Sequence, residues 1–165
     1  MNTKELARIA IMGCIQFICF NIFSDILYLE VITIITIIFA IVFSRKQAIL
    51  GSIIFCVLNI IINQGLNTWT IMYLIIYPTY SLIISLINNK INESNIRICI
   101  ICFIFSFMTG QLLQIPYMLI EPNITIYYII FGLKTSLIQA TITSITCFSV
   151  SGVLIRTLRK IKGRN

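Results

Sequence analysis

Long apolar runs separated by short polar clusters make up almost the whole chain. Six runs are predicted as helices, at 6–23, 28–43, 47–62, 69–87, 96–118 and 127–155. The separators are Ser24-Asp25, Ser44-Arg45-Lys46, Asn63 to Thr68, Asn88 to Asn95 and Ile120-Glu121-Pro122-Asn123. About 20 apolar residues in a helix rise about 30 Å, which matches the hydrocarbon core of a bilayer. Inside lipid each backbone N–H and C=O needs a partner within its own segment, so these runs read as membrane helices. The second run is short and is expected to tilt or to tuck within the bundle. The sixth is long and ends in basic turns. The first run is too long for a signal-peptide core and no small-x-small cleavage site follows it, so it is expected to remain as a helix. The fold expected is all-α: one domain over residues 1–165, a bundle of six transmembrane helices.

Composition sharpens this reading. Apolar residues make up 59% of the 165 positions and charged residues 10%, against about 25% charged in an ordinary soluble domain. Mean hydropathy is +1.02. Such a chain is excluded as a soluble enzyme, a disordered protein or a nucleic-acid binder, in spite of its net charge of +7. That charge reads instead as orientation. With the N-terminus in the cytoplasm, Lys4, Arg8, Arg45, Lys46, Lys90, Arg97 and the tail basics Arg156, Arg159, Lys160, Lys162 and Arg164 all fall inside. Asp25, Glu30 and Glu121 then fall outside. The pattern favours an even number of spans, both termini cytoplasmic, and a bacterial-type cell membrane. The basic tail could also touch anionic headgroups, although a positive-inside stop is the simpler account.

The chemical inventory is thin. There is no His, and the acids are Glu5, Asp25, Glu30, Glu93 and Glu121. Zinc hydrolases and Ser or Cys hydrolases draw on His, so no catalytic role, metal or cofactor is expected. No glycine-rich phosphate loop is present, so the chain carries no ATPase of its own. The six cysteines lie within apolar runs, and even the Cys99-Ile-Ile-Cys102 pair reads as small buried apolar residues.

One basic residue breaks the orientation pattern. Lys134 lies about seven residues, or about 10 Å, into the last span. A lysine at that depth costs about 2.5–3.5 kcal/mol unless it snorkels or meets a partner or water. Polar residues cluster toward the same outer side: Asn63 and Gln64 at the end of the third span, Gln111, Gln114 and Tyr117 in the fifth, then Glu121 and Tyr128. In the fourth, Trp69, Tyr73 and Tyr77 recur every four residues and share a face. An interfacial aromatic belt accounts for Trp69 and Tyr128 but poorly for the deeper Tyr73 and Tyr77. These eleven residues are therefore expected to line an outward-facing pocket for a small, partly flat polar molecule. Lys134 hints at an anionic or carbonyl group on it, whereas Glu121 or Glu30 would meet a cation, so the charge stays open. The hydroxyls and amide of the last span, Thr135 to Thr146, are read as bonding their own backbone.

On the cytoplasmic half of the first span, Ala7, Ala10, Gly13 and Cys14 repeat small side chains at three- and four-residue steps. Such a face lets another helix come close, either from a partner or from the same chain.

Together these features resemble the substrate-binding S component of an energy-coupling factor (ECF) vitamin transporter. The likeness rests on size, six short-looped spans and three stretches. These are Lys4-Glu5-Leu6-Ala7-Arg8-Ile9-Ala10-Ile11-Met12-Gly13-Cys14, Ser44-Arg45-Lys46-Gln47-Ala48-Ile49-Leu50-Gly51, and Trp69 to Pro78. The resemblance implies an externally loaded pocket for a vitamin or related precursor near the outer ends of the later helices. It also implies docking through small residues of the first helix onto a separate transmembrane coupling protein driven by two cytoplasmic ATPases, with toppling of the subunit carrying the pocket inward. The family's Ala-xxx-Ala signature is matched here by Ala10 and Cys14, with Cys in place of the second Ala. An aromatic or nucleobase-like substrate suits Trp69, Tyr73 and Tyr77, and a pantothenate-like one would use Lys134. Competing readings are an accessory or structural membrane protein without a ligand, and a stand-alone carrier or channel.

Overall fold

A computed structural model describes residues 2–91, 94–119 and 121–163, without the side chains of Gln64, Asn89, Lys90 and Leu119. It consists of six α-helices: α1 (Thr3–Phe23), α2 (Val31–Val42), α3 (Arg45–Leu58), α4 (Thr68–Ile91), α5 (Asn95–Leu112) and α6 (Pro122–Gly163). A π-helical turn (Asn59–Gln64) extends α3, and a 3-10 turn (Ile115–Leu119) follows α5. No strand occurs among the described residues.

Local chemistry sets the helix ends. Ser44 and Gln47 cap the start of α3 reciprocally, each side chain meeting the other's backbone N–H at 3.4 Å, which satisfies donors that no earlier turn can reach. Pro122 opens α6, where a missing N–H costs nothing. Gly65, at φ 64°, ends the π-turn after α3 in a conformation that favours glycine. Pro78 lies inside α4, where it removes one backbone donor, and the next residue, Thr79, donates its hydroxyl to the Ile75 carbonyl at 2.6 Å.

The most apolar helix is also the shortest. Every residue of α2 except Val31 is buried, and all five other helices pack against it. A helix that is apolar all round belongs at the centre of a bundle. At 12 residues it rises only about 18 Å. The other five helices are long and apolar enough to cross a membrane, and α2 is not. The expected run 28–43 is thus shorter than drawn, because the chain from Ser24 to Glu30 folds back before the helix begins. α6 runs the other way: it starts at Pro122 rather than 127 and continues to Gly163, 42 residues in all.

Both chain ends gather at one end of the bundle. The Arg8 guanidinium lies 5.9 Å from the centre of the Phe43 ring. The Lys162 Nζ donates to the Val42 carbonyl at 2.6 Å, and Asn88 Nδ2 donates to the Ile41 carbonyl at 3.1 Å. These contacts satisfy carbonyls that the end of α2 leaves open. Two glycines set close helix approaches. A Cβ on Gly13 would run into Ile54, and one on Gly110 into Ser136, so α1 meets α3 and α5 meets α6 almost backbone to backbone.

Candidate functional site

Because α2 is short, its first turn lies inside the bundle. Glu30 is its N-cap, at a level where Tyr77 is already nine residues, about 14 Å, into α4. Three neutral donors hold the carboxylate. Thr33 Oγ1 and the Tyr77 hydroxyl donate to Oε1 at 2.6 and 3.2 Å. Gln139 Nε2 donates to Oε2 at 2.9 Å. The Glu30 backbone N–H donates to Thr143 Oγ1 at 3.1 Å, which pins the same spot to α6 a second time.

A cavity of about 330 Å³ lies over this carboxylate. Its sides are Phe20 and Phe23 of α1, Tyr73 and Tyr77 of α4, Thr109 and Gly110 of α5 and Gln139 of α6, and Ser24, Ile26, Leu27, Tyr28 and Leu29 border it on the loop side. Tyr28 in that loop has φ 63°, a left-handed conformation that a bulky side chain seldom adopts and that clusters near ligand sites. The rings form a connected set. Tyr73 and Tyr77 have centroids 5.4 Å apart, and Phe20 meets Tyr73 edge-on at 6.1 Å. Among the described residues, no Lys or Arg lines the cavity.

Beneath the carboxylate, polar groups of neighbouring helices meet one another, although Gln16 Oε1 has no partner among the described residues. Gln16 Nε2 donates to Thr36 Oγ1 at 3.0 Å, and the Ser52 and Ser81 hydroxyls lie 2.8 Å apart. Below that level the centre is closed by Ile37, Ile38, Ile84 and Ile98, all fully buried.

The expected site residues distribute unevenly around this cavity. Tyr73 and Tyr77 line it, and Tyr77 is 1% exposed. The others do not line it. Asn63 donates outside it, to Asn21 Oδ1 at 2.7 Å and to Asn59 Oδ1 at 3.1 Å, tying α3's extension to α1. The Gln64 side chain lies outside the described residues. Trp69 and Tyr128 are 47% and 61% exposed, as belt residues would be. Gln111 Nε2 donates to Ser136 Oγ at 2.7 Å between α5 and α6. Gln114 and Tyr117 are half-buried at the turn after α5, and Glu121 is exposed. Lys134 is exposed on α6. It stands five residues before Gln139, which turns it about 140° around the helix from the cavity side. On α1, Ala7, Ala10 and Cys14 are exposed, while Gly13 is buried against α3.

Glu30, Gln139 and Thr143 carry the site and were not among the expected lining. Their signal was in the sequence. Glu30 lies within the run 28–43, and an ionisable residue inside a span is a site candidate by default. Ser136, Gln139 and Thr143 recur at steps of three and four, a polar stripe that has to face inward. Of the last span's hydroxyls, Thr141 and Thr146 do bond their own helix. Ser144 instead reaches the Cys99 carbonyl on α5.

All six cysteines are free, and Cys56, Cys99, Cys102 and Cys147 are buried. Comparison of the chain with protein-family models, with curated proteins and with solved structures finds no match.

Proposed function

We propose that the chain is the membrane-embedded solute-capture subunit of an ECF-type importer. In this reading both termini face the cytoplasm, and the cavity over Glu30 opens toward the outer side of a cell membrane. The subunit binds a vitamin or related small precursor and carries out no chemistry on it. A separate transmembrane coupling protein and two cytoplasmic ATPases supply the movement that delivers the solute inward.

One observation supports the reading above the rest: an aromatic-walled polar cavity that ends blind on an apolar floor. A cavity of about 330 Å³ lies at the small end of the range for ligand pockets. A channel or a carrier with a continuous path needs polar groups through the full depth, and the buried isoleucines below Thr36 offer none. The exposed small residues Ala7, Ala10 and Cys14 leave α1 open to close approach by a partner helix, in line with the family resemblance. Gly13 is used within the chain, so the docking face is Ala7, Ala10 and Cys14.

The test is to purify the chain and identify co-purified small molecules by mass spectrometry. A defined solute that is displaced on dilution supports capture, and a chain that carries none and binds none in a vitamin screen speaks for an accessory protein. Ala10→Trp separates docking from capture. The variant is expected to lose co-purification with the coupling protein while solute affinity stays within about twofold. Retained assembly removes that face from the interface.

A further inference from the structure

We propose that the captured solute is a small aromatic cation, held with its positive charge against Glu30 and its ring among Phe20, Tyr73 and Tyr77. The inference rests on the capture reading and names the substrate class of that same site. It starts from charge. Glu30 is the acid that borders the cavity, and among the described residues no Lys or Arg borders it. Its three side-chain partners, Thr33, Tyr77 and Gln139, are neutral donors. They orient the carboxylate and leave its charge uncompensated. A carboxylate has about four lone-pair positions; these bonds occupy three, and the buried Ser106 hydroxyl of α5 faces the same group as a further neutral donor. Glu30 is partly accessible and borders the cavity, so a cationic group entering it would meet this carboxylate directly.

The surrounding chemistry narrows that ligand. An anion would meet the carboxylate with no cation to offset it. A divalent metal would need further ligands, and among the described residues no group of three His, Cys, Asp or Glu is placed to hold one. The tyrosine and phenylalanine rings suit an organic ammonium or amidinium, whose spread charge is attracted to ring faces as well as to carboxylate. The volume admits a ring with a short charged arm.

The full chain in lipid nanodiscs, at pH 7, provides the test. Three probes share one ring and differ in charge: benzylamine, benzyl alcohol and benzoate. Their saturable binding is measured by thermal shift and calorimetry, with empty nanodiscs subtracted. Benzylamine is expected to bind at least tenfold tighter than benzyl alcohol, and benzoate to show no saturable binding. Glu30→Gln keeps the size and hydrogen bonding of the side chain and should erase the preference for the amine. Glu30→Asp, which keeps the charge, should retain part of it. The comparison in the wild-type chain stands even where a variant fails to fold.

Alcohol or benzoate binding as tightly as the amine overturns the cation and leaves capture standing. An amine preference that survives in Glu30→Gln overturns the role of Glu30. Sodium chloride giving the same protection as benzylamine hydrochloride overturns the organic half of the inference. No saturable binding by any probe overturns the inference as a whole, and capture is then decided by the co-purified solute.

Discussion

The two halves of the bundle solve opposite problems with the same six helices. Around Glu30, helices α2, α4 and α6 spend their polar side chains on one carboxylate and leave a cavity beside it. Lower down, the same helices meet through Ile37, Ile38, Ile84, Cys147 and Ile155 and leave no polar group unpaired at that interface except Ser151 Oγ. The difference teaches that a cavity can form in this bundle without a path through it. α2 is long enough to plug the bundle and too short to fill it. Its missing turns leave room for the cavity, and its N-cap, Glu30, supplies the cavity's carboxylate.

Three substitutions test that contrast, beginning with the floor. Ile37 is completely buried, so Ile37→Asp places an unpaired carboxylate in hydrocarbon. A loss of about 4 kcal/mol or more is expected, read as failure to recover monodisperse protein from detergent. Recovery of normal yield would mean that water reaches the floor. At the cavity wall, Gly110→Ala drives a methyl into Ser136 and forces α5 from α6. It is expected to cost about 1–3 kcal/mol, seen as a lower melting temperature together with weaker solute binding, since Gly110 touches both the helix contact and the cavity. Lys134→Ala should give the smallest effect, within about 0.5 kcal/mol in stability and without loss of solute affinity. A clear drop in affinity would bring Lys134 back to the site and would favour the outer rim of the bundle over the Glu30 cavity.

Much of the fold was legible because lipid leaves few choices. Run length and separators placed the first four helices to within a few residues and the ends of the last two less closely, by up to eight residues at the end of α6, and the shortness of the second run pointed to its tucked position. The four-residue step of Tyr73 and Tyr77 put both on the face where the structure has them. Depth in the sequence and position at the Glu30 cavity do not coincide for Lys134. Lys134 was conspicuous as a lone cation, but helical phase decides whether a side chain meets the cavity, and a long basic side chain tolerates an exposed position by reaching toward water. Glu30 was less conspicuous at the edge of its run. Its depth depends on how far the chain from Ser24 to Leu29 folds inward, a tertiary fact that periodicity does not carry. Likewise the small-residue face of α1 was readable, but its division was not: only packing against Ile54 assigns Gly13 to the interior and leaves Ala7, Ala10 and Cys14 outside.

The burial of α2 on all sides also bears on how the protein is made. A stretch of 12 residues is too brief to settle across a bilayer as an independent unit, and it has no polar side to rest at the surface. Its partners are the five other helices, so its stability depends on them. The cavity over Glu30 is bordered by the start of that helix, so its shape depends on the whole bundle being assembled.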